Sequence, residues 1–169
     1  MDAVALDDEL IKKFKPSLVF KNYQKEINSI DLSRCGRFLV TGSDDNCVNY
    51  YDVEKGEKIN TYYCKRYGVD LVRFTHHHKT ILCASKRENF HRVLYWSLHD
   101  NVILCSFLGH TDVITALDLN PLTSTFVSCS KNGEARVWDY ERKASVLLVR
   151  SASAAAFDNT GNVLACLFT

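Results

Sequence analysis

A chain of 169 residues, 46% hydrophobic and 11% aromatic, has the length of one domain or one large piece of a longer one, and enough apolar content to bury a core. Disorder is therefore excluded as a whole-chain answer. Its 21 lysines and arginines balance 20 aspartates and glutamates, so no net field draws it to nucleic acid or an anionic membrane, and neither is expected as a direct partner.

The first predicted element is a short helix in "LDDELIKKFKP". Leu6, Leu10, Ile11 and Phe14 share one face, acids precede lysines as the macrodipole favours, and Pro16 ends it. Lys12, Lys13 and Lys15 read as its solvated end, and residues 1–16 as a cap rather than a domain. The following "SLVF", Ser17 to Phe20, reads as a strand without a sheet of its own.

From Ile27 onward the chain repeats itself. "INSIDLSRCGRFLVTGSDDNCVNYYDVEKG" aligns without a gap with "ITALDLNPLTSTFVSCSKNGEARVWDYERK", which starts at Ile114, at an offset of 87. Asp31 meets Asp118, Ser43 meets Ser130, Asp45 meets Asn132, Tyr51 meets Trp138 and Asp52 meets Asp139. A middle copy begins at Val69, at an offset of 42, and after an insertion near "KRENFH" it places Trp96 where Tyr51 and Trp138 stand. A fourth copy starts with "AAAFDNTGNVLACLF" and runs for about two strands. Each copy consists of short apolar or alternating runs split by Gly, Asn, Asp, Ser or Lys, the pattern of antiparallel strands. "SDDN" and "SKNG" read as tight hairpin turns. The predicted fold is all-β. Residues 17–169 carry copies near 23–63, 65–108 and 109–149 and part of a fourth from 150.

The third copy carries "GH" at Gly109 and His110 and "WD" at Trp138 and Asp139, the signature dipeptides of the WD-repeat family, and the resemblance runs from Ser17 to the end. It implies a β-propeller, here an incomplete arc of about three and a half blades where family members have about seven, with "SLVF" in the place of the strand that completes the last blade. In the middle copy, "KRYGVDLVRFTH" and "YWSLHDN" are similar to the Swd-two type of WD-repeat protein, called WD-repeat protein eighty-two in animals. That likeness implies a nuclear, non-catalytic scaffold subunit of COMPASS, the Set-domain complex that methylates the fourth lysine of histone three. Its implied partners are the other subunits and the phosphorylated tail of RNA polymerase II. The alternative roles it implies are adaptor work in RNA 3′-end processing, transcription termination or phosphatase targeting.

The resemblance also implies a buried hydrogen-bonded cluster in the third blade, made by Trp138, His110, Ser128 or Ser130, and Asn132 in the turn position usually held by aspartate. The first blade keeps Asp45 but puts Tyr23 in the histidine place and Tyr51 in the tryptophan place. Trp138 is thus expected in the wall, since a buried indole N–H needs a partner and an unpaired one costs about 1–3 kcal/mol. The other-class alternative is an enzyme. Ser128, His110 and Asp139 have the residue types of a hydrolase triad, but no G-x-S-x-G elbow is present and the blade cluster already uses those residues. "HHH", His76 to His78, suggests a metal, but adjacent side chains diverge, and its alignment with other hairpins predicts a solvated turn. No cofactor is expected, and no Gly-rich phosphate loop occurs. Lys65 and Arg66, with Tyr67 and Asp70, form a cationic, aromatic loop leading into blade two that is suited to an acidic or phosphorylated peptide.

The seven cysteines stand 12 or more positions apart, which leaves no C-x-x-C pair for zinc or redox chemistry and reads as scattered buried thiols in a reducing compartment. No cationic segment followed by an apolar run opens the chain, and no apolar stretch approaches the roughly 18 residues of a membrane span. If the chain ended at Thr169, "NVLACLF" would leave an apolar edge, and association through open edges would be expected ahead of ring closure by a second copy.

Overall fold

The computed structural model describes residues 7–87 and 89–168. Leu6, named above as part of the helix face, and Thr169 lie outside the described residues. The helix α1 (Asp8–Lys12) begins at Asp7, whose carboxylate accepts the Leu10 N–H at 2.7 Å, and no residue within it is buried. Ile11 and Phe14 are exposed as well, so this end of the chain draws little stability from packing.

The expectation of a strand at Ser17–Phe20 is corrected. The segment is irregular and pairs with no sheet among the described residues. Instead it lies along the first sheet: Leu18 Cδ1 sits where a side chain on Gly56 would stand, and the Phe20 ring lies 4.9 Å from that of Tyr51. A strand exists only through a ladder with a neighbour, so without one the apolar side chains pack against a face rather than an edge.

The rest is strand. Blade one is β1 (Ile27–Leu32), β2 (Phe38–Ser43), β3 (Cys47–Asp52) and β4 (Glu57–Tyr63). Blade two is β5 (Asp70–Phe74), β6 (Thr80–Ala84), β7 (Arg92–Ser97) and β8 (Val102–Leu108). Blade three is β9 (Ile114–Leu119), β10 (Thr125–Ser130), β11 (Glu134–Asp139) and β12 (Ala144–Arg150), and β13 (Ala152–Phe157) pairs with β14 (Leu164–Phe168) as a two-stranded fourth sheet. Every pairing is antiparallel between consecutive strands, giving an arc of three four-stranded sheets and one partial sheet. The turns predicted as tight hairpins use the expected residues: Asn46 between β2 and β3 has φ 61°, and Gly133 between β10 and β11 has φ 81°.

The core lies between the sheets. Alternate residues of a strand face opposite ways, and in β6 Ile81 and Cys83 join Val40, Tyr50, Val72 and Trp96 between blades one and two. Leu82 and Ala84 face the other way and join Phe107, Phe126 and Trp138 between blades two and three. A strand buried on both faces reads as a continuous apolar run, which is why "TILCA" shows no alternation. At about 1.5–3 kcal/mol for each large side chain removed from water, these two layers carry most of the stability. Gly42 permits the close approach of blades one and two, since a Cβ there would stand 2.5 Å from Ser29 Oγ and 2.9 Å from side chains of both Val69 and Val72.

Carboxylates on the first strands tie blade to blade. Asp31 in β1 accepts the Phe74 N–H of β5 at 2.7 Å, and Asp118 in β9 accepts the Phe157 N–H of β13 at 2.8 Å. Asp31 and Asp118 are the pair that the 87-residue offset superposes. Burial pushes the Asp31 carboxyl up, opposed by the Phe74 N–H it accepts. All seven thiols are free, but the reading of them as buried needs correction: Cys35 is exposed in the turn between β1 and β2, and Cys105 and Cys166 are half-buried.

Candidate functional site

Blade three holds the most complete polar cluster. His110 lies in the loop before β9, Ser128 in mid-β10 and Trp138 in β11, and the antiparallel ladder pairs Phe126 with Trp138 and Ser128 with Arg136. Trp138 Nε1–H donates to Ser128 Oγ at 2.8 Å, and the Ser128 hydroxyl meets His110 Nε2 at 2.7 Å. The serine oxygen thus receives the indole proton, and its own proton goes to the imidazole; this is the arrangement in which both atoms are satisfied. Burial, followed by the nearby Arg136 charge, lowers the His110 pKa to about 4, so the ring is neutral at neutral pH. Its other nitrogen, Nδ1, is buried without a partner among the described residues.

Asn132 explains that orphan. Its Oδ1 accepts from Ser130 Oγ at 2.5 Å and from the Glu134 N–H at 3.2 Å, while Nδ2 donates to Thr111 Oγ1 at 2.8 Å. Both ends of the amide serve the turn and the residue after His110, and neither serves the ring. Asn132→Asp replaces the Nδ2 donor with an acceptor beside His110. The expected result is a gain of about 1 kcal/mol, read as a raised denaturant midpoint with an unchanged slope. An unchanged or lowered midpoint would contradict this account of the orphan nitrogen.

Asp139 turns away from His110. It accepts from Ser124 Oγ at 2.9 Å and from the Arg142 N–H at 3.0 Å, closing the hairpin beyond β11. Ser128 is fully buried, so the three residue types of a hydrolase triad are neither in relay order nor open to a substrate.

Blade one repeats the scheme with other chemistry. At the offset of 87 from His110 and Ser128 stand Tyr23 and Thr41, and Tyr23 Oη meets Thr41 Oγ1 at 2.5 Å and donates to the Thr41 carbonyl at 2.8 Å. Asp45 accepts the N–H groups of Gln24 and Lys25 at 2.8 and 3.2 Å, which ties its turn to the segment before β1. Asp52 matches Asp139 in two of its bonds: it accepts from Arg37 Nη2 at 3.0 Å, where blade three has Ser124, and from the Lys55 N–H at 3.0 Å, where blade three has Arg142. Tyr51, in the tryptophan place, is buried beneath Phe20. Thr41 is not singled out by the sequence motifs, although the gapless alignment that pairs Ser43 with Ser130 also pairs it with Ser128.

Blade two departs from the scheme. Trp96 is buried and meets Tyr62 edge-on at 6.1 Å, but Cys83 stands where Thr41 and Ser128 stand and makes its bond to the Ala84 carbonyl. No described residue joins Trp96 in a counterpart of the blade-three cluster.

The three histidines stand in the turn between β5 and β6, where His76 and His77 are exposed and His78 is half-buried. His76 Nε2 meets the Thr123 carbonyl of blade three at 2.8 Å, whereas His78 stacks on Phe38 of blade one with centroids 4.6 Å apart. The turn is solvated, as the sequence predicts, and its outer rings also reach opposite neighbouring blades. Among the described residues no cluster of His, Cys, Asp and Glu suits a metal ion.

Of the residues predicted to form a cationic loop, Lys65 and Arg66 are exposed. Tyr67 is half-buried with the Arg66 and Arg92 guanidiniums 5.2 and 5.3 Å from its ring centroid. Asp70 is half-buried and accepts the Leu71 N–H at 2.9 Å. Arg87, Phe90 and Arg92 belong with this loop and were missed, because they lie in or beside the insertion that interrupts the alignment.

Comparison with known proteins follows the same geometry. The profile of the WD domain, G-beta repeat family matches residues 14–52 and 101–139, two stretches 87 positions apart that include the first three strands of blade one and those of blade three. The chain is 34% identical to "WD repeat-containing protein 82" of Drosophila melanogaster over 96% of its length and 51% of that protein. It is 31% identical to "Set1 complex component swd2" of Schizosaccharomyces pombe, over 98% of the chain and 47% of that protein. It is 28% identical to "COMPASS component SWD2" of Saccharomyces cerevisiae, over 98% of the chain and 51% of that protein. The chain thus spans about half the length of the curated relatives it matches. Its sheets, its repeated aspartate bonds and these matches identify it as a chain of WD40 repeats, similar along nearly its whole length to proteins of the Swd2 and WD repeat-containing protein 82 type.

Proposed function

We propose that the chain belongs to a non-catalytic scaffold subunit of a Set1-type, COMPASS-like histone lysine methyltransferase complex, working in the nucleus. The observation that carries this reading is its alignment, over nearly all its length, with proteins whose names make them components of Set1 and COMPASS. The architecture suits the role. Polar side chains at the blade ends are spent on holding turns, which leaves rigid sheets that present loops at fixed separations. Its partners are the other subunits of that complex, and the phosphorylated tail of RNA polymerase II is the finer part of the same proposal.

The test is purification of the tagged full-length gene product from nuclear extract. The Set-domain subunit is expected to co-purify in stoichiometric amount, and depletion of the protein to lower methylation of the fourth lysine of histone three. Retention of phosphorylated polymerase-tail peptides by the purified complex tests the finer part. A product that purifies without any Set-domain subunit would overturn the reading.

A further inference from the structure

The loop between β4 and β5 and the loop between β6 and β7 leave blade two at the same end as His110, since the strands of each blade alternate in direction. They are joined: the N–H groups of Lys86 and Arg87 both donate to the Tyr67 carbonyl, at 3.0 and 3.1 Å. Around that joint stand Lys65, Arg66, Lys86, Arg87 and Arg92, five cations in a chain whose net charge is only +1; Glu88, an acid in the same loop sequence, lies outside the described residues. Lys86 pairs with Asp44 at 2.5 Å, and the Asp70 carboxylate is engaged by the Leu71 N–H. Lys65, Arg66, Arg87 and Arg92 form no ion pair among the described residues.

Arg92 is the centre of the arrangement. Its guanidinium carbon lies 5.3 Å from the Tyr67 centroid and 5.0 Å from that of Phe90, and the two rings meet edge to face at 5.2 Å. Its side chain donates to Ser106 Oγ at 3.3 Å, and its buried Nε meets no acceptor among the described residues. Stacking on an aromatic face holds a guanidinium by its plane and leaves its edge for an oxyanion, the geometry that favours Arg over Lys for carboxylates. The rings themselves are engaged with each other and with Arg66 and Arg92, so they offer poor platforms for stacking a nucleobase.

We infer that this rim of blade two is a docking site for an acidic, Asp- and Glu-rich peptide segment of a partner protein, gripped by Arg66, Arg87 and Arg92. The inference rests on the scaffold reading and names the chemistry of one of its contacts. The probe is a fluorescein-labelled glutamate-rich peptide titrated into the purified full-length protein. Binding is expected to weaken with salt. It is also expected to fall about tenfold or more in Arg66→Glu/Arg87→Glu, whose two exposed side chains leave the thermal midpoint unchanged. Lys12→Glu/Lys13→Glu, an equal charge reversal on α1, is expected to bind as the parent does. Arg92→Lys, which keeps the charge but loses the planar stack, is expected to weaken binding severalfold. Equal loss in both reversed variants, no binding, or tighter binding of a single-stranded RNA or of a phosphoserine peptide of the same net charge overturns the inference. Failure of the parent protein to bind the peptide, with co-purification of the Set-domain subunit retained, refutes the docking site alone, whereas absence of that subunit with peptide binding intact refutes only the scaffold assignment.

Discussion

Trp138→Ala is expected to destabilise the protein by about 3–5 kcal/mol, the range for truncating a buried aromatic whose site cannot collapse. The ring is 3% exposed and lies 5.5 Å from Phe107, 6.1 Å from His110 and 6.3 Å from Phe126, centroid to centroid. It belongs to the layer between blades two and three, so truncation opens a cavity at a blade interface and also removes the N–H that Ser128 accepts. Trp138→Phe separates the two losses. It keeps most of the packing and removes only the hydrogen bond, for an expected cost of about 1–2 kcal/mol. Urea denaturation of the full-length protein measures both. An unchanged midpoint combined with lost partner binding would make Trp138 an exposed reader of a ligand, contrary to its burial.

What could be read from the sequence and what could not have the same physical origin. Strands with strict spacing repeat their hydrogen bonds, so the offset of 87 located Asp45, Asp52, Asn132 and Asp139 and the sheets that carry them. Tyr51, Trp96 and Trp138 share one position because each sits opposite an apolar residue of the preceding strand, Leu39, Ile81 or Phe126. The blade-three cluster was legible as residue types, but Ser128 and Ser130 share a face of β10, and the choice between them as hub depended on which stands level with Trp138 and His110; Ser130, one step nearer the turn, bonds Asn132 instead. Ser17–Phe20 was misread because β-propensity describes a side chain's fitness for a pleated surface and says nothing of whether a free edge lies within reach. The histidine turn was legible as an exposed turn, but its contacts to Phe38 and Thr123 are made across blades, and no local pattern records them. Arg92 and Phe90 escaped because an insertion has no counterpart in the other copies with which to compare it.

The acid limb of the stability curve should carry the signature of His110. An unperturbed imidazole titrates near 6.5, and burial holds this one to about 4 in the folded protein. The unfolded chain therefore takes up a proton that the folded protein refuses. The stabilising contribution is complete above pH 6.5, declines as the pH falls from 6.5 to about 4, and changes no further below that. The decline approaches about 1.4 kcal/mol for each pH unit and totals about 2–3 kcal/mol once screening at the solvent-facing edge of the ring is allowed for. His78, whose pKa is lowered by burial and then by His77, works in the same direction. Asp31 and Asp70, whose carboxyls are raised by burial, work in the opposite one, because the folded state binds their protons first. His110→Gln removes the titrating group while keeping a polar partner for Ser128. It is expected to be less stable than the parent at pH 7 and to lose less stability between pH 6.5 and 4. Denaturant titrations of both proteins at half-unit intervals give the two slopes. Parallel slopes would mean that His110 takes up its proton in the fold, and that its bond to Ser128 is made by the charged ring rather than the neutral one.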